Sequence, residues 1–331
     1  MKRTLSIVVI GLAASVSGGC KKKTATTEPA KGSAAEPTSA TGSGSAAEGS
    51  AGAGSAEGSG SAAAAAPSAI TVEGLSTPES ALFDEAGDRY LVSNINGQPL
   101  GADDNGFISA VTPTGEATKW IDGAKPDIKL DAPKGMAFSG DMLWVADISV
   151  VRRFDLKTGA QKDDVKIKGA TFLNDVVSDG AGGVYVSDSG LDASFKPTGS
   201  DAIYQIDKAG KVTQRIKDKG LGAPNGLASA DGKLWAVTFG TGELFEVDAK
   251  GAKQNPSKLP KGQLDGIVVM DGGELLVSSW DAKAVFRGTP GGEWKEVVSG
   301  VESPADIGWD AGRKRVLVPL FTQNKLVIQP L

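Results

Sequence analysis

A four-residue motif recurs six times between residues 78 and 307, and its spacing constrains the fold more than any other feature of the chain. The copies are Pro78-Glu79-Ser80-Ala81, Pro133-Lys134-Gly135-Met136, Leu173-Asn174-Asp175-Val176, Pro224-Asn225-Gly226-Leu227, Leu264-Asp265-Gly266-Ile267 and Pro304-Ala305-Asp306-Ile307. Their starts are 55, 40, 51, 40 and 40 residues apart. After each copy come a turn and a strand-like run: RYLVSN, LWVAD, VYVSD, LWAVT, LLVSS and VLVPL. A second set of runs follows: FISAVT, VRRFDL, AIYQID, ELFEVD, AVFRGT and KLVIQ. No long helical period interrupts them. A period near 40 residues with about four strands per unit predicts an all-β fold, a six-bladed β-propeller over residues 70–331.

Ring closure is also readable. The last copy ends after its third strand, at residues 325–329, while an unassigned strand-like segment, AITVEG, precedes the first motif. That segment is predicted to complete the last blade as its outermost strand, removing the open edge at the seam.

The chain before residue 70 has a different character. Residues 1–20, MKRTLSIVVIGLAASVSGGC, carry Lys2 and Arg3, then an apolar stretch too short to span a bilayer, then small residues leading to Cys20. This resembles a bacterial lipoprotein signal with Cys20 as the lipidated residue, although Ser17 stands where an aliphatic residue is usual. An ordinary cleaved signal with an incidental cysteine is the other reading. Both place the body outside the cytoplasm, and lipidation would anchor it to a membrane facing the periplasm or cell exterior. Residues 21–69, almost wholly Ala, Gly, Ser, Glu, Thr, Pro and Lys, cannot bury enough surface to fold and are expected to form a disordered tether.

Composition removes several function classes. The chain has no histidine, which excludes Ser-His-Asp and Cys-His catalysis, His-ligated metals and a His general base. Cys20 is the only cysteine, so the body has no disulfide, thiolate metal site or thiol nucleophile. Residues 70–331 carry 29 basic against 36 acidic groups without a basic cluster, which argues against nucleic acid as a partner. A closed ring is expected to be a monomer.

The innermost strand of a propeller blade starts beside the central channel, and the motif sits at that start. Its second positions should form a ring of Glu79, Lys134, Asn174, Asn225, Asp265 and Ala305, with Asp175 and Asp306 added by the third position. Asp, Asn, Pro and Gly also serve turns, with Gly allowing tight entry into the strand. A turn role alone would give similar residues in every copy, and the second position varies from blade to blade. Two carboxylates and two amides make an oxygen-only donor set, suited to a hard divalent cation, Ca2+ above all, with Mg2+ or Mn2+ as alternatives. Lys134 is free either to pair with Glu79 or Asp175 in the absence of metal or to bind an anionic substrate group. Trp144, Trp235, Trp280 and Trp309, in or just after strand runs, read as packing between blades. The loops at 95–106 and 189–201 are long and lie on the motif face, where they could form a rim or lid.

These motifs, in this order, resemble the regucalcin/gluconolactonase-like family over nearly all of residues 70–331: Glu79 in PES, Asn174 in FLND, Asn225 in APNG and Asp265 in LDG. The resemblance implies one divalent cation held by Glu79, Asn174, Asn225 and Asp265, hydrolysis of a lactone or small ester, and Asp265 as general base. It also implies a substrate contact at Phe172, and Lys134 and Asp175 on the ring are further candidates for contacting substrate. Family members often carry Arg where this chain has Phe172, which points to a more apolar substrate. The alternative is a non-catalytic tethered propeller that binds a protein or ligand on its rim.

Overall fold

The computed structural model describes residues 68–331; the leader, Cys20 and nearly all of the tether lie outside the described residues. Twenty-four strands form six four-stranded antiparallel sheets, with no helix among the described residues. The inner strands are β2 (Pro78–Asp84), β6 (Pro133–Ser139), β10 (Leu173–Ser178), β14 (Pro224–Ala230), β18 (Leu264–Val269) and β22 (Gly308–Asp310). Five of the six motifs therefore open an inner strand. The sixth, at Pro304, reaches its blade through an isolated bridge from Pro304 to Leu320.

The second strands are β3 (Arg89–Asn94), β7 (Met142–Asp147), β11 (Val184–Asp188), β15 (Lys233–Thr238), β19 (Leu275–Ser279) and β23 (Arg315–Leu320). The last blade is ordered β22, β23, β24 (Lys325–Pro330) and then β1 (Ile70–Val72). Strand β1 pairs Ile70 with Ile328, Thr71 with Val327 and Val72 with Leu326, so the N-terminal strand closes the ring as its sequence position requires. The inner strands meet there as well: Asp306 N–H donates to Glu79 O, Ala81 N–H donates to Asp306 O, and the Ser80 hydroxyl donates to Asp306 Oδ2 at 2.5 Å.

The core is divided among the blades. Each of six buried clusters fills the wedge between two neighbouring blades, for example Trp144, Val151 and Ile167 against Val186, Tyr204 and Ile206. Inner and middle strands are buried on both faces, which is why their sequences read as nearly continuous apolar runs. Outer strands face solvent, and one of them, β17 (Lys253–Lys258), carries Pro256 beside a register shift, a position only an edge strand tolerates.

Trp144, Trp235 and Trp309 take part in these wedges, as expected. Trp280 does not. It packs between Phe239 and Phe321, with centroids 5.4 Å from each, because it follows β19 at the motif end of the blade rather than lying within the sheet.

Candidate functional site

The inner strands share a local distortion. In β2, β6, β10, β14 and β18 the register shifts within the motif, between Pro78 and Ser80, Pro133 and Met136, Leu173 and Val176, Pro224 and Leu227, and Leu264 and Ile267. A bulge bends the strand and re-aims the side chain it carries. Here it delivers the second motif residue to the interior: Glu79, Lys134, Asn174, Asn225 and Asp265 are all buried, as is Ala305 of the sixth copy, whose blade has no such bulge.

The third position packs one blade against the next. A Cβ on Gly135 would collide with Asp175, and one on Gly266 with Asp306. Neither glycine has a positive φ, so close approach of the neighbouring strand, rather than a tight turn, requires glycine there. The space is used by carboxylates. Asp175 Oδ1 accepts from Val176 N–H and Oδ2 from Leu227 N–H of the next blade, each at 2.6 Å. Both oxygens of Asp175 are thus engaged by backbone, and the residue ties inner strands together.

Serines of the second strands complete this frame and were not singled out by the motif. Ser187 Oγ accepts from Asp175 N–H and donates to Asn225 O, and Ser278 Oγ accepts from Gly266 N–H and donates to Ala305 O. Ser189 Oγ accepts from Asn174 Nδ2 at 3.1 Å, which turns the amide oxygen of Asn174 the other way. The recurrent serine in RYLVSN, VYVSD and LLVSS is the signal that marked Ser187 and Ser278; Ser189, one residue past β11, carries no such signal.

Six buried side-chain oxygens among the described residues accept no hydrogen bond; Asn105 Oδ1 and Asp201 Oδ1 belong to the two long loops, and the other four share one place in the motif. Glu79 Oε2, Asn174 Oδ1, Asn225 Oδ1 and Asp265 Oδ1 are buried and accept no hydrogen bond. Unsatisfied buried acceptors are costly, and a protein rarely keeps four without a ligand for them. They come from four blades, and all belong to the second motif position. Among the described residues, no three His, Cys, Asp or Glu side chains gather as a metal cluster, because half of this set is amide.

The electrostatics agree with a site built to receive a cation. Burial, then the charges of Asp265 and Asp306, push the Glu79 carboxyl well above its usual range, against a weaker opposing pull from Lys134. Burial and then Asp306 do the same to Asp265, while the Trp280 indole N–H lies near enough to favour the charged form without completing a hydrogen bond. Burial raises Asp306 to about 7. A divalent cation reverses this balance by stabilising the ionised carboxylates. Hard oxygen donors of both kinds suit Ca2+ chemically, so the residues present fit such an ion.

Lys134 is almost fully buried, and burial lowers its pKa while Glu79 and Asp147 oppose this. It pairs with neither Glu79 nor Asp175. Among the described residues it has no carboxylate within salt-bridge reach; Nζ donates to Ala132 O at 2.9 Å and lies 4.9 Å from the centroid of Phe172. Phe172 is itself buried, in a small cluster with Leu191, Ala223 and Leu100, and its ring is 6.0 Å from that of Phe195. Leu100 belongs to the 95–106 loop, and Leu191 and Phe195 to the 189–201 loop, so the two long loops meet over this part of the mouth. Of the acidic loop residues, Asp192 staples its own turn by accepting from Ser194 and Lys196 amides, whereas Asp104 pairs with Lys129 and Asp201 accepts from Ala223 N–H. An open groove of about 910 Å³ on the outer flank of blades 2 and 3, against Trp144 and Arg153, contains none of the ring residues.

The sequence comparison decides the family. The family model for the SMP-30/gluconolactonase/LRE-like region matches residues 77–315, from the residue before the first motif to the start of β23. The chain belongs to that family. No curated protein matches this SMP-30/gluconolactonase/LRE-like chain by sequence. Among solved structures, a gluconolactonase from Xanthomonas campestris is 18% identical, covering 80% of this chain and 89% of its own, with a TM-score of 0.63. A streptogramin B lyase is 13% identical, covering 79% and 97%, with a TM-score of 0.57. A virginiamycin B lyase from Staphylococcus aureus, a catalytically inactive His-to-Ala variant with quinupristin, is 16% identical, covering 80% and 99%, with a TM-score of 0.54. At these identities the likeness carries the fold alone.

Proposed function

We propose that this chain is an exported, metal-dependent hydrolase of lactones or small esters. The observation that carries the reading is the set of four partnerless buried oxygens on Glu79, Asn174, Asn225 and Asp265. Family membership supports a lactonase-type hydrolase. A structural neighbour described as inactive without a histidine, the virginiamycin B lyase, is a poor guide to chemistry here, because this chain has no histidine at all.

Glu79, Asn174, Asn225 and Asp265 would hold one divalent cation, most simply Ca2+. When bound, it supplies Lewis acidity toward a carbonyl oxygen. The chain's own residues account for the proton. Hydrolysis adds water to the acyl carbon and breaks the ring C–O bond. Asp265 accepts the proton lost by the attacking water and returns it to the departing ring oxygen, leaving a hydroxy acid. Bonds from Ser187, Ser189 and Ser278 hold the motif backbones and the Asn174 amide in place, so the donors need no rearrangement. Export and anchoring rest on residues 1–20 and Cys20, and a monomer on the closed ring.

The test is proton release during hydrolysis of a lactone panel by the full chain, before and after chelation and with Ca2+ restored. Activity that disappears on chelation, returns with Ca2+ and is lost in Asp265→Asn is expected. Turnover indifferent to both treatments would overturn the mechanism.

A further inference from the structure

In five of the six blades the residue that follows the second strand occupies one repeated place. Its backbone N–H donates to the carbonyl of the residue just before the motif: Ile95 to Thr77, Ser189 to Phe172, Phe239 to Ala223, Trp280 to Gln263 and Phe321 to Ser303. These side chains therefore stand at the channel mouth, above the ring of second motif residues. In three consecutive blades the place is held by an aromatic residue. Trp280 meets Phe239 edge-on, with planes 85° apart, and meets Phe321 tilted at 49°. Blades splay apart away from the axis, so rings from three of them can touch only near it.

Phe239, Trp280 and Phe321 belong to none of the wedges that hold the blades together, and all three remain partly exposed. The stability of the propeller does not account for them. Trp280 adds a polar observation: its Nε1–H is buried, has no acceptor and lies beside Asp265. On the other arc of the mouth, Phe172, Phe195, Leu100 and Leu191 make a second apolar wall. Polyhydroxylated ligands need several hydrogen-bonding side chains, and neither wall supplies them.

We propose that the Phe239–Trp280–Phe321 ledge is a substrate subsite that selects lactones or esters bearing an aryl or extended alkyl substituent. This rests on the hydrolase reading above, and it sets the substrate class. The substituent lies against the ledge, the reacting carbonyl faces the oxygens of Glu79, Asn174, Asn225 and Asp265, and the Trp280 N–H is left as the one donor on that wall. Aromatic walls favour such groups both by area and by ring geometry.

Two measurements on the Ca2+-loaded full chain separate the two claims. The first is calorimetric binding of a phenyl-substituted δ-lactam and of unsubstituted δ-lactam, which are not turned over as lactones are. The phenyl compound should bind at least about tenfold tighter, and the ratio should fall to about threefold or less in Trp280→Leu. Phe321→Leu serves as a second variant should Trp280→Leu fail to fold, and it should reduce the same ratio. Equal affinities in the wild type, no binding of either lactam, or an unchanged ratio in folded variants would overturn the ledge. The second is turnover of the matching lactones alongside glucono-δ-lactone. Lactam selectivity without turnover of any lactone would remove the hydrolase and keep the ledge. Turnover of glucono-δ-lactone as fast as the phenyl-lactone would keep the hydrolase and remove the ledge.

Discussion

The ammonium of Lys134 lies 4.9 Å from the centroid of the Phe172 ring and donates to Ala132 O, inside a channel whose carboxylates it does not touch. It is a buried cation held by a π face and a carbonyl, on the same ring as the proposed metal donors. Like charges oppose each other across the channel. Lys134→Met should therefore bind Ca2+ more tightly, by about tenfold, in competition with a calcium-chelating dye. Unchanged or weaker binding would show that Lys134 has no electrostatic share in the site.

Arg152 holds the loop that carries Lys134's anchor. Its guanidinium donates to Asp147 at 2.7 Å, Asp131 at 2.9 Å and Asp164 at 2.7 Å, and Asp147 in turn accepts from the amides of Asp131 and Ala132. The Asp147 side chain is fully buried. Arg152→Met leaves that buried charge without its counter-charge, held only by the two amides, and should cost about 3–5 kcal/mol in urea unfolding. A loss below about 1 kcal/mol would mean that the cluster behaves like a surface pair.

Deleting residues 68–73 removes β1 and with it the ladder to β24 and the fully buried Val72. The loss combines one buried Val with several strand hydrogen bonds, on the order of 3 kcal/mol or more. Unfolding midpoints of the full chain and the deletion should differ accordingly, and equal midpoints would mean that the ring does not depend on its seam.

Asp306 shares the pH dependence of the metal-free protein with the other buried carboxyls of the channel. Burial raises its pKa from 3.8 to about 7, with the Ser80 hydroxyl pulling the other way. An acid raised on folding holds its proton more tightly in the folded chain. Its stabilising share is complete below 3.8 and is lost as pH rises through about 7. Glu79, Asp175 and Asp265 shift in the same direction. Chelated protein should melt higher at pH 5 than at pH 8, Asp306→Asn should narrow the gap, and Ca2+ should restore stability at pH 8. Chelated protein that melts higher at pH 8 would contradict the buried-acid account.

The repeat in the sequence located the inner strands at Pro78, Pro133, Leu173, Pro224 and Leu264, because apolar periodicity and turn residues act locally. It also placed β1 in the last blade, since a strand left over at one end has one vacant edge to fill. What stayed hidden depends on neighbouring blades. The bulges arise from pairing with the second strand, and Gly135 is small because Asp175 of the next blade approaches it. Trp280 follows its strand much as a packing tryptophan would, and only the adjacent Phe239 and Phe321 reveal a different place for it. The partners of Lys134 were equally illegible, since an ammonium satisfied by a carbonyl and a ring leaves no complementary charge in the sequence.

Calcium binding tests the central claim most directly. Ca2+ is titrated calorimetrically into the chelator-treated full chain, with Asp265→Ala and Asn225→Ala measured alongside. The account predicts saturable binding of about one ion per chain, abolished in Asp265→Ala and weakened at least about tenfold in Asn225→Ala. A folded wild type that takes up no Ca2+, or variants that bind it as the wild type does, would contradict the assignment of the four channel oxygens.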